Sequence, residues 1–201
     1  MRYILIIFFI FLFSLTVISC SKKDDSSSSS SAAGTYQLAT NDYANGVATD
    51  SSGNVYVTGG TKGGLDGNTS AGNTDLFVVK YNSSGTKQWT KQLGSSGLDS
   101  ANGITIDSSG NVYVTGVTFG GLDWNTSAGA NDLFVVKYNS SGTKEWTEQL
   151  GSASSDFANG VATDSSGNVY VAGVTYGGLD GNSKGNVDLF VVKYNSSGTK
   201  Q

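Results

Sequence analysis

Asp107-Ser108-Ser109-Gly110-Asn111-Val112-Tyr113-Val114 is a strand end, a turn and a new strand written in eight letters. Asp at the first turn position accepts hydrogen bonds from the backbone ahead of it. Gly at the fourth is free to take positive φ, and the pair describes a type I turn closing a hairpin. Asn-Val-Tyr-Val then opens a β run of large apolar side chains. The same octet stands at Asp50 to Val57 and at Asp164 to Val171. Three copies in fixed register make the chain an array of one supersecondary unit. Asp50, Gly53, Asp107, Gly110, Asp164 and Gly167 are accordingly read as residues that hold turns.

Working outward, Ala44-Asn45-Gly46 recurs 57 residues later as Ala101-Asn102-Gly103, and 57 later again as Ala158-Asn159-Gly160. Asp75 to Tyr81 recurs at Asp132 to Tyr138 and, after one deletion in the preceding loop, at Asp188 to Tyr194. A second hairpin follows each copy, at Asn82 to Gly85, Asn139 to Gly142 and Asn195 to Gly198, with Gly85, Gly142 and Gly198 as its turn glycines. Two hairpins make four strands, which in the first unit run roughly over Val47–Asp50, Asn54–Thr58, Leu76–Tyr81 and Thr86–Leu93. No helical period appears in the repeats.

The third strand is apolar on both alternating sets, Phe77, Val79 and Tyr81 against Leu76 and Val78, as a strand covered on both sides would be. The first is short and small around Gly46 and Ala48. The fourth, with Lys87, Gln88, Thr90, Lys91 and Gln92, is polar enough for an edge. This gradient predicts an all-β fold: a β-propeller-type array of four-stranded antiparallel blades stacked between neighbours. The unit GVATDSSGNVYVTG…DLFVVKYNSSGTKQW resembles the SBBP β-propeller repeat family of secreted bacterial proteins, over nearly everything after Tyr43.

The units fall at about 44–100, 101–157 and 158–201, within a repeat region of 35–201. Propellers close with 4 to 8 blades, and three make an incomplete or open one. The third unit reaches Gln201 just before the place of Trp89 and Trp146, while Thr35-Tyr36-Gln37-Leu38 resembles a lone fourth-strand end. Three readings are open: a shortened front piece of a longer propeller, a homodimer completing a six-bladed ring, or a stand-alone stack with open ends. Gly60 and Lys62, where the later units have Val117 and Phe119 or Val174 and Tyr176, suggest an open or atypical face on the first blade.

Residues 1–19 read as a signal peptide, with Arg2 before an apolar run from Ile4. Up to Ile18 that run is shorter than the roughly 20 residues needed to cross a bilayer. Val17-Ile18-Ser19-Cys20 resembles the bacterial lipobox, which implies cleavage before Cys20 and acylation of its thiol and new amino terminus. Cys20 is the single cysteine, so no disulfide forms within the chain. Residues 20–34 then form a Ser-rich flexible tether. Ser21, rather than Asp, after the acylated Cys favours the outer membrane or cell surface by the same resemblance.

The chain has no histidine, which removes Ser-His-Asp, Cys-His and His-ligated zinc chemistry. No phosphate loop is present, and the acidic residues repeat with the blades where a catalytic pair would break the symmetry. With a formal net charge of −4 and scattered lysines, no basic stripe is offered to nucleic acid. The most chemical-looking motif is Gly63-Gly64-Leu65-Asp66-Gly67-Asn68, repeated at Gly120 to Asn125 and Gly177 to Asn182. All three copies should emerge on one face. Calcium takes oxygen ligands, but one or two carboxylates per loop fall short of an EF-hand ladder, and an Asx turn ordering the loop is the preferred reading. No cofactor or metal is expected. Asp66, Asp123 and Asp180 are candidate ligand contacts, and so is Trp124, which replaces Gly67 and Gly181 and either meets a ligand or covers the neighbouring loop.

These readings point to a lipid-anchored envelope propeller that binds a protein or glycan without catalysis. The alternatives are a periplasm-facing outer-membrane assembly factor and a fragment of a longer propeller with no function of its own.

Overall fold

The computed structural model describes residues 41–201. The signal peptide, Cys20, the tether and the segment 35–38 lie outside the described residues. Within them, eleven strands form three antiparallel sheets. The first holds β1 (Asp42–Thr49), β2 (Val55–Thr61), β3 (Asp75–Tyr81) and β4 (Lys87–Leu93). The second holds β5 (Asp99–Ile106), β6 (Val112–Thr118), β7 (Asp132–Tyr138) and β8 (Lys144–Leu150). The third holds β9 (Asp156–Thr163), β10 (Val169–Thr175) and β11 (Asp188–Tyr194). Strands follow chain order in every sheet, and the sheets do not close into a ring. The architecture is an open propeller of about three blades. A bridge between Tyr194 and Lys200 begins a fourth strand beside β11.

The first strand of each unit is longer than expected. It runs Asp42–Thr49 rather than Val47–Asp50, because Ala44-Asn45-Gly46 makes a β-bulge where its composition suggests a break. The bulged residue is Asn45, and the same slip recurs at Asn102 and Asn159. The bulge pushes the Tyr43 carbonyl into the space a Cβ on Gly59 would need. It also aims the asparagine across the gap between sheets. Asn45 Nδ2 donates to the Ala101 carbonyl at 2.9 Å, and Asn102 Nδ2 to the Ala158 carbonyl at 2.9 Å.

The sheets stack through apolar faces. Tyr56, Leu76 and Val78 on the trailing face of the first sheet meet Val112, Val114, Phe134, Val136 and Tyr138 on the leading face of the second. Tyr113, Leu133 and Val135 on the far side of the second meet Val169, Val171, Phe190, Val192 and Tyr194 of the third. Leu133 to Val136 are fully buried, as a strand covered on both sides must be. At the outer rim, the Asn-Ser-Ser-Gly turn of each following sheet is gripped by its predecessor. Lys80 Nζ donates to the Ser140 carbonyl, and Lys137 Nζ and Trp146 Nε1 both donate to the Ser196 carbonyl, each at 3.3 Å. Gly142 is doubly required there: its φ is +80°, and a Cβ would lie 2.9 Å from the Trp89 ring.

Among the described residues the exposed apolar face is on the third sheet, whereas Gly60 and Lys62 suggest an open or atypical face on the first. Leu189 is 83% and Val191 64% exposed, while Phe77 and Val79 of the first sheet are buried. Gly60 has another cause: a Cβ there would collide with the Tyr43 ring.

Each opening hairpin is closed by its aspartate. Asp50 Oδ1 accepts from the Ser52 and Asn54 amides at 2.9 and 3.0 Å, and Oδ2 from Asn54 Nδ2 and Tyr56 Oη. Asp107 and Asp164 repeat the set. Gly53, Gly110 and Gly167 take φ of 76° to 79°. Burial works against the ionised forms of Asp50 and Asp107, but the donated hydrogen bonds outweigh it and hold both below the usual carboxylate range. Asp164, led by the Asn168 amide, is drawn from 3.8 to about 2.

Two outcomes follow from this packing. In urea titrations, Leu133→Ala should cost about 2–5 kcal/mol, whereas Val47→Ala, on an exposed position, should stay within about 0.5 kcal/mol. A depressed carboxylate stabilises the fold above its unfolded pKa and loses that contribution as pH falls through its folded value. Asp164→Asn should therefore lower the melting temperature at pH 7 and flatten its fall between pH 4 and pH 2, followed by circular dichroism.

Candidate functional site

The long connections between the second and third strands of each sheet carry the Gly-Gly-Leu-Asp motif. Their leucines, Leu65, Leu122 and Leu179, are buried and anchor the loops. The Leu65 amide donates to Gln92 Oε1 and the Leu122 amide to Gln149 Oε1, both at 2.8 Å. The residues that follow make a tight turn, in which the Asn68, Asn125 and Asn182 amides donate back to those leucine carbonyls at 3.0 Å. Asp66, Asp123 and Asp180 take φ of 52°, 53° and 54°. The next residues are also left-handed: Gly67 at 80°, Gly181 at 75° and Trp124 at 69°. Two successive positive φ values define a type I′ turn, for which Asp-Gly is a favoured pair.

The aspartates that the sequence offers as ligand contacts are engaged within the chain. Asp66 pairs with Lys87 and accepts from Thr90 Oγ1. Asp123 pairs with Lys144, and Asp180 with Lys200. Burial disfavours the charge on Asp66 and Asp123, but the lysine and threonine donors prevail and hold both below the usual range. An ion pair joins each loop to the fourth strand of its sheet or, in the third, to Lys200 beside β11. Among the described residues, no three carboxylate or thiol groups converge as a metal would require.

Trp124 stands apart. Its side chain and backbone are 99% exposed, so it does not cover the neighbouring loop. It also occupies a left-handed conformation that costs an L-residue roughly 1–2 kcal/mol. Its counterparts avoid that strain by being glycine. A large apolar ring held clear of the fold, at a strained position, is suited to contact and contributes nothing to the core.

Two further sets of residues were not singled out by sequence. Asp75 and Asp132 are buried at the start of their strands, each accepting from a loop amide at 2.8 Å and from a glutamine side chain, Gln92 at 2.7 Å and Gln149 at 2.6 Å. Asp99 is buried across the next junction and accepts from the Ser95 amide and hydroxyl. Burial, aided by the nearby Asp75 charge, pushes Asp99 up despite those donors. These carboxylates pin loops. The asparagine and lysine links between sheets were likewise visible only as recurrences at the repeat period.

Comparison with known proteins agrees with this geometry. A beta-propeller repeat family model, SBBP, matches residues 37–66, 88–123 and 145–180. The second and third matches begin in β4 and β8, and all three end in a Gly-Gly-Leu-Asp loop. The chain is similar to Regulatory protein FlaEY of Caulobacter vibrioides, 27% identical over 171 residues, 76% of this chain and 18% of that protein. It is also similar to an uncharacterized WD repeat-containing protein of Acanthamoeba polyphaga mimivirus, 29% identical over 133 residues, 57% of this chain and 9% of that one. The chain spans less than a fifth of the length of either relative. Matched in all three of its repeats, the chain belongs to the SBBP beta-propeller repeat family.

Proposed function

We propose that this protein is a non-catalytic binding scaffold, tethered to the bacterial envelope by lipid on Cys20, which engages a protein or glycan through its Gly-Gly-Leu-Asp loops. One observation carries the binding reading: Trp124 is fully exposed in a strained turn where the sister loops keep glycine. Tryptophan is enriched among residues that dominate binding energy, and its flat ring also stacks on sugar faces. The sheets beneath supply rigidity, since each loop is held by a buried leucine and an ion pair. The absence of histidine from the whole chain favours binding over acid–base catalysis. Val17-Ile18-Ser19-Cys20 supports the anchor, and Ser21 after it favours the outer membrane or cell surface. A regulatory role, which the name of the Caulobacter relative states for that protein, would also operate through binding.

Trp124→Gly separates contact from fold. It should raise unfolding stability by about 1 kcal/mol by removing the strained side chain. It should also abolish retention on immobilised envelope glycans or proteins that hold the parent chain. Loss of stability together with binding would assign Trp124 a structural role. For the anchor, Cys20→Ala should release the protein from the membrane fraction and end incorporation of labelled palmitate. Unchanged fractionation would remove the lipid from this account.

A further inference from the structure

The two gaps between sheets are built from one repeat, yet they differ in charge where the packing does not require it. An open cleft of about 360 Å³ lies at the outer rim between the first and second sheets. Its walls are Lys91 to Leu93 of β4, Tyr138 of β7, the turn at Gly142 and Thr143, and Lys144 of β8. Lys91 lays its stem over the turn: a Cβ on Gly142 would be 2.8 Å from Lys91 Cε. In the next gap Glu148 takes that seat, with its Oε1 3.3 Å from where a Cβ on Gly198 would be. The seat accepts either sign of charge, so packing does not select the lysine. Among the described residues no carboxylate or carbonyl takes the Lys91 ammonium. Lys144 is neutralised by Asp123, as Lys200 is by Asp180. Lys80, on the same rim, has Gln88 where Lys137 is paired with Glu145. The first gap therefore holds positive charge without a counter-ion, where the second holds Glu145 and Glu148.

A nearly buried donor opens into the same cleft. Tyr138 is 3% exposed and packs its ring between the sheets, but its hydroxyl has no hydrogen-bond partner among the described residues. Burial, with the Asp123 charge, pushes its pKa up, so the hydroxyl keeps its proton and is available to donate. Such a donor left unpaired costs stability, which an acceptor on a ligand would restore. Trp124 belongs to this gap as well. It follows Asp123, whose carboxylate is held by Lys144 on the cleft wall. Glu148 and Gly181 stand at the matching places of the other gap, so both differences fall together. Two donors without acceptors suit an anion, and an exposed indole suits the apolar face of a ring. We propose that this cleft holds an acidic sugar, its carboxylate between Lys91 and the Tyr138 hydroxyl and its ring face against Trp124. The proposal rests on the binding reading above and narrows its ligand. Small-ligand pockets begin at about 300 Å³, so the cleft takes one uronic acid residue and leaves the rest of a glycan outside.

The full chain, purified in mild detergent, is titrated by calorimetry and indole fluorescence with trigalacturonic acid, its methyl ester and inorganic phosphate. The acid should bind and shift the fluorescence, and the uncharged ester should bind about tenfold more weakly or worse. Lys91→Glu, which copies the neighbouring gap and so should keep the melting temperature, should weaken the acid by a similar factor. Tyr138→Phe keeps the ring and loses only the hydroxyl, and should weaken the acid several-fold without loss of stability. No binding of the acid, equal binding of the ester, or indifference to both variants would overturn the proposal. Phosphate bound as tightly as the acid would also overturn it, in favour of a bare anion site. Retention on envelope material that Trp124→Gly abolishes and Lys91→Glu spares would sink the cleft and leave the binding reading standing. The binding reading fails separately, when Trp124→Gly costs stability along with retention.

Discussion

The whole array depends on one contact repeated between sheets: the Leu-x-Val edge of one third strand pressed into the Val-x-Val and Phe-x-Val-x-Tyr edges of the next sheet. Fully burying such side chains stabilises by about 1.5–3 kcal/mol each. A single hydrogen bond at a turn contributes a net of about 0.5–1.5 kcal/mol. The aspartate-closed hairpins therefore shape each sheet, but stacking holds the sheets together. A lone sheet of this kind has two apolar faces and no core of its own, which is why the unit occurs only in series.

The second constraint is distance. Sheets can stack this closely near the inner strands because Gly46 and Gly103 leave no side chain in the gap. The bulge beside them turns a potential defect into a link, since the extra residue, an asparagine, reaches a carbonyl of the following sheet. The outer rim is closed differently, by lysine and tryptophan over a glycine turn. Inner and outer links together fix the relative angle of neighbouring sheets, and so the positions of the loops above them. Against that rigid base, Trp124 is an outlier: its exposure and its left-handed backbone cost stability without any return to the fold.

Much of this was legible in the sequence. The period, four strands per unit, the two hairpins and the doubly apolar third strand follow from turn chemistry and alternation alone, and the family follows from the same letters. The first strand was not, because Ala44-Asn45-Gly46 has the composition of a break, and only tertiary pairing shows that it is a bulge. Gly60 looks like a surface device until the Tyr43 ring is seen to need its space. The loop aspartates read as Asx-turn residues or ligand contacts because the lysines that pair with them lie about twenty residues away in the sequence. Trp124 was visible as a break in the repeat, but whether its ring lies on or off the neighbouring loop is set by the left-handed backbone of the turn, which the letters do not show.

The sequence Asp-Leu-Phe-Val-Val-Lys-Tyr occurs identically in β3, β7 and β11. Intrinsic amide exchange rates within it are thus essentially matched, and differences in protection report packing and pairing alone. Residue-resolved hydrogen exchange by NMR on these three segments tests the stacking account most directly. The account predicts the greatest protection in β7, paired on both edges and covered on both faces, and the least in β11. Equal protection in the three segments would contradict it.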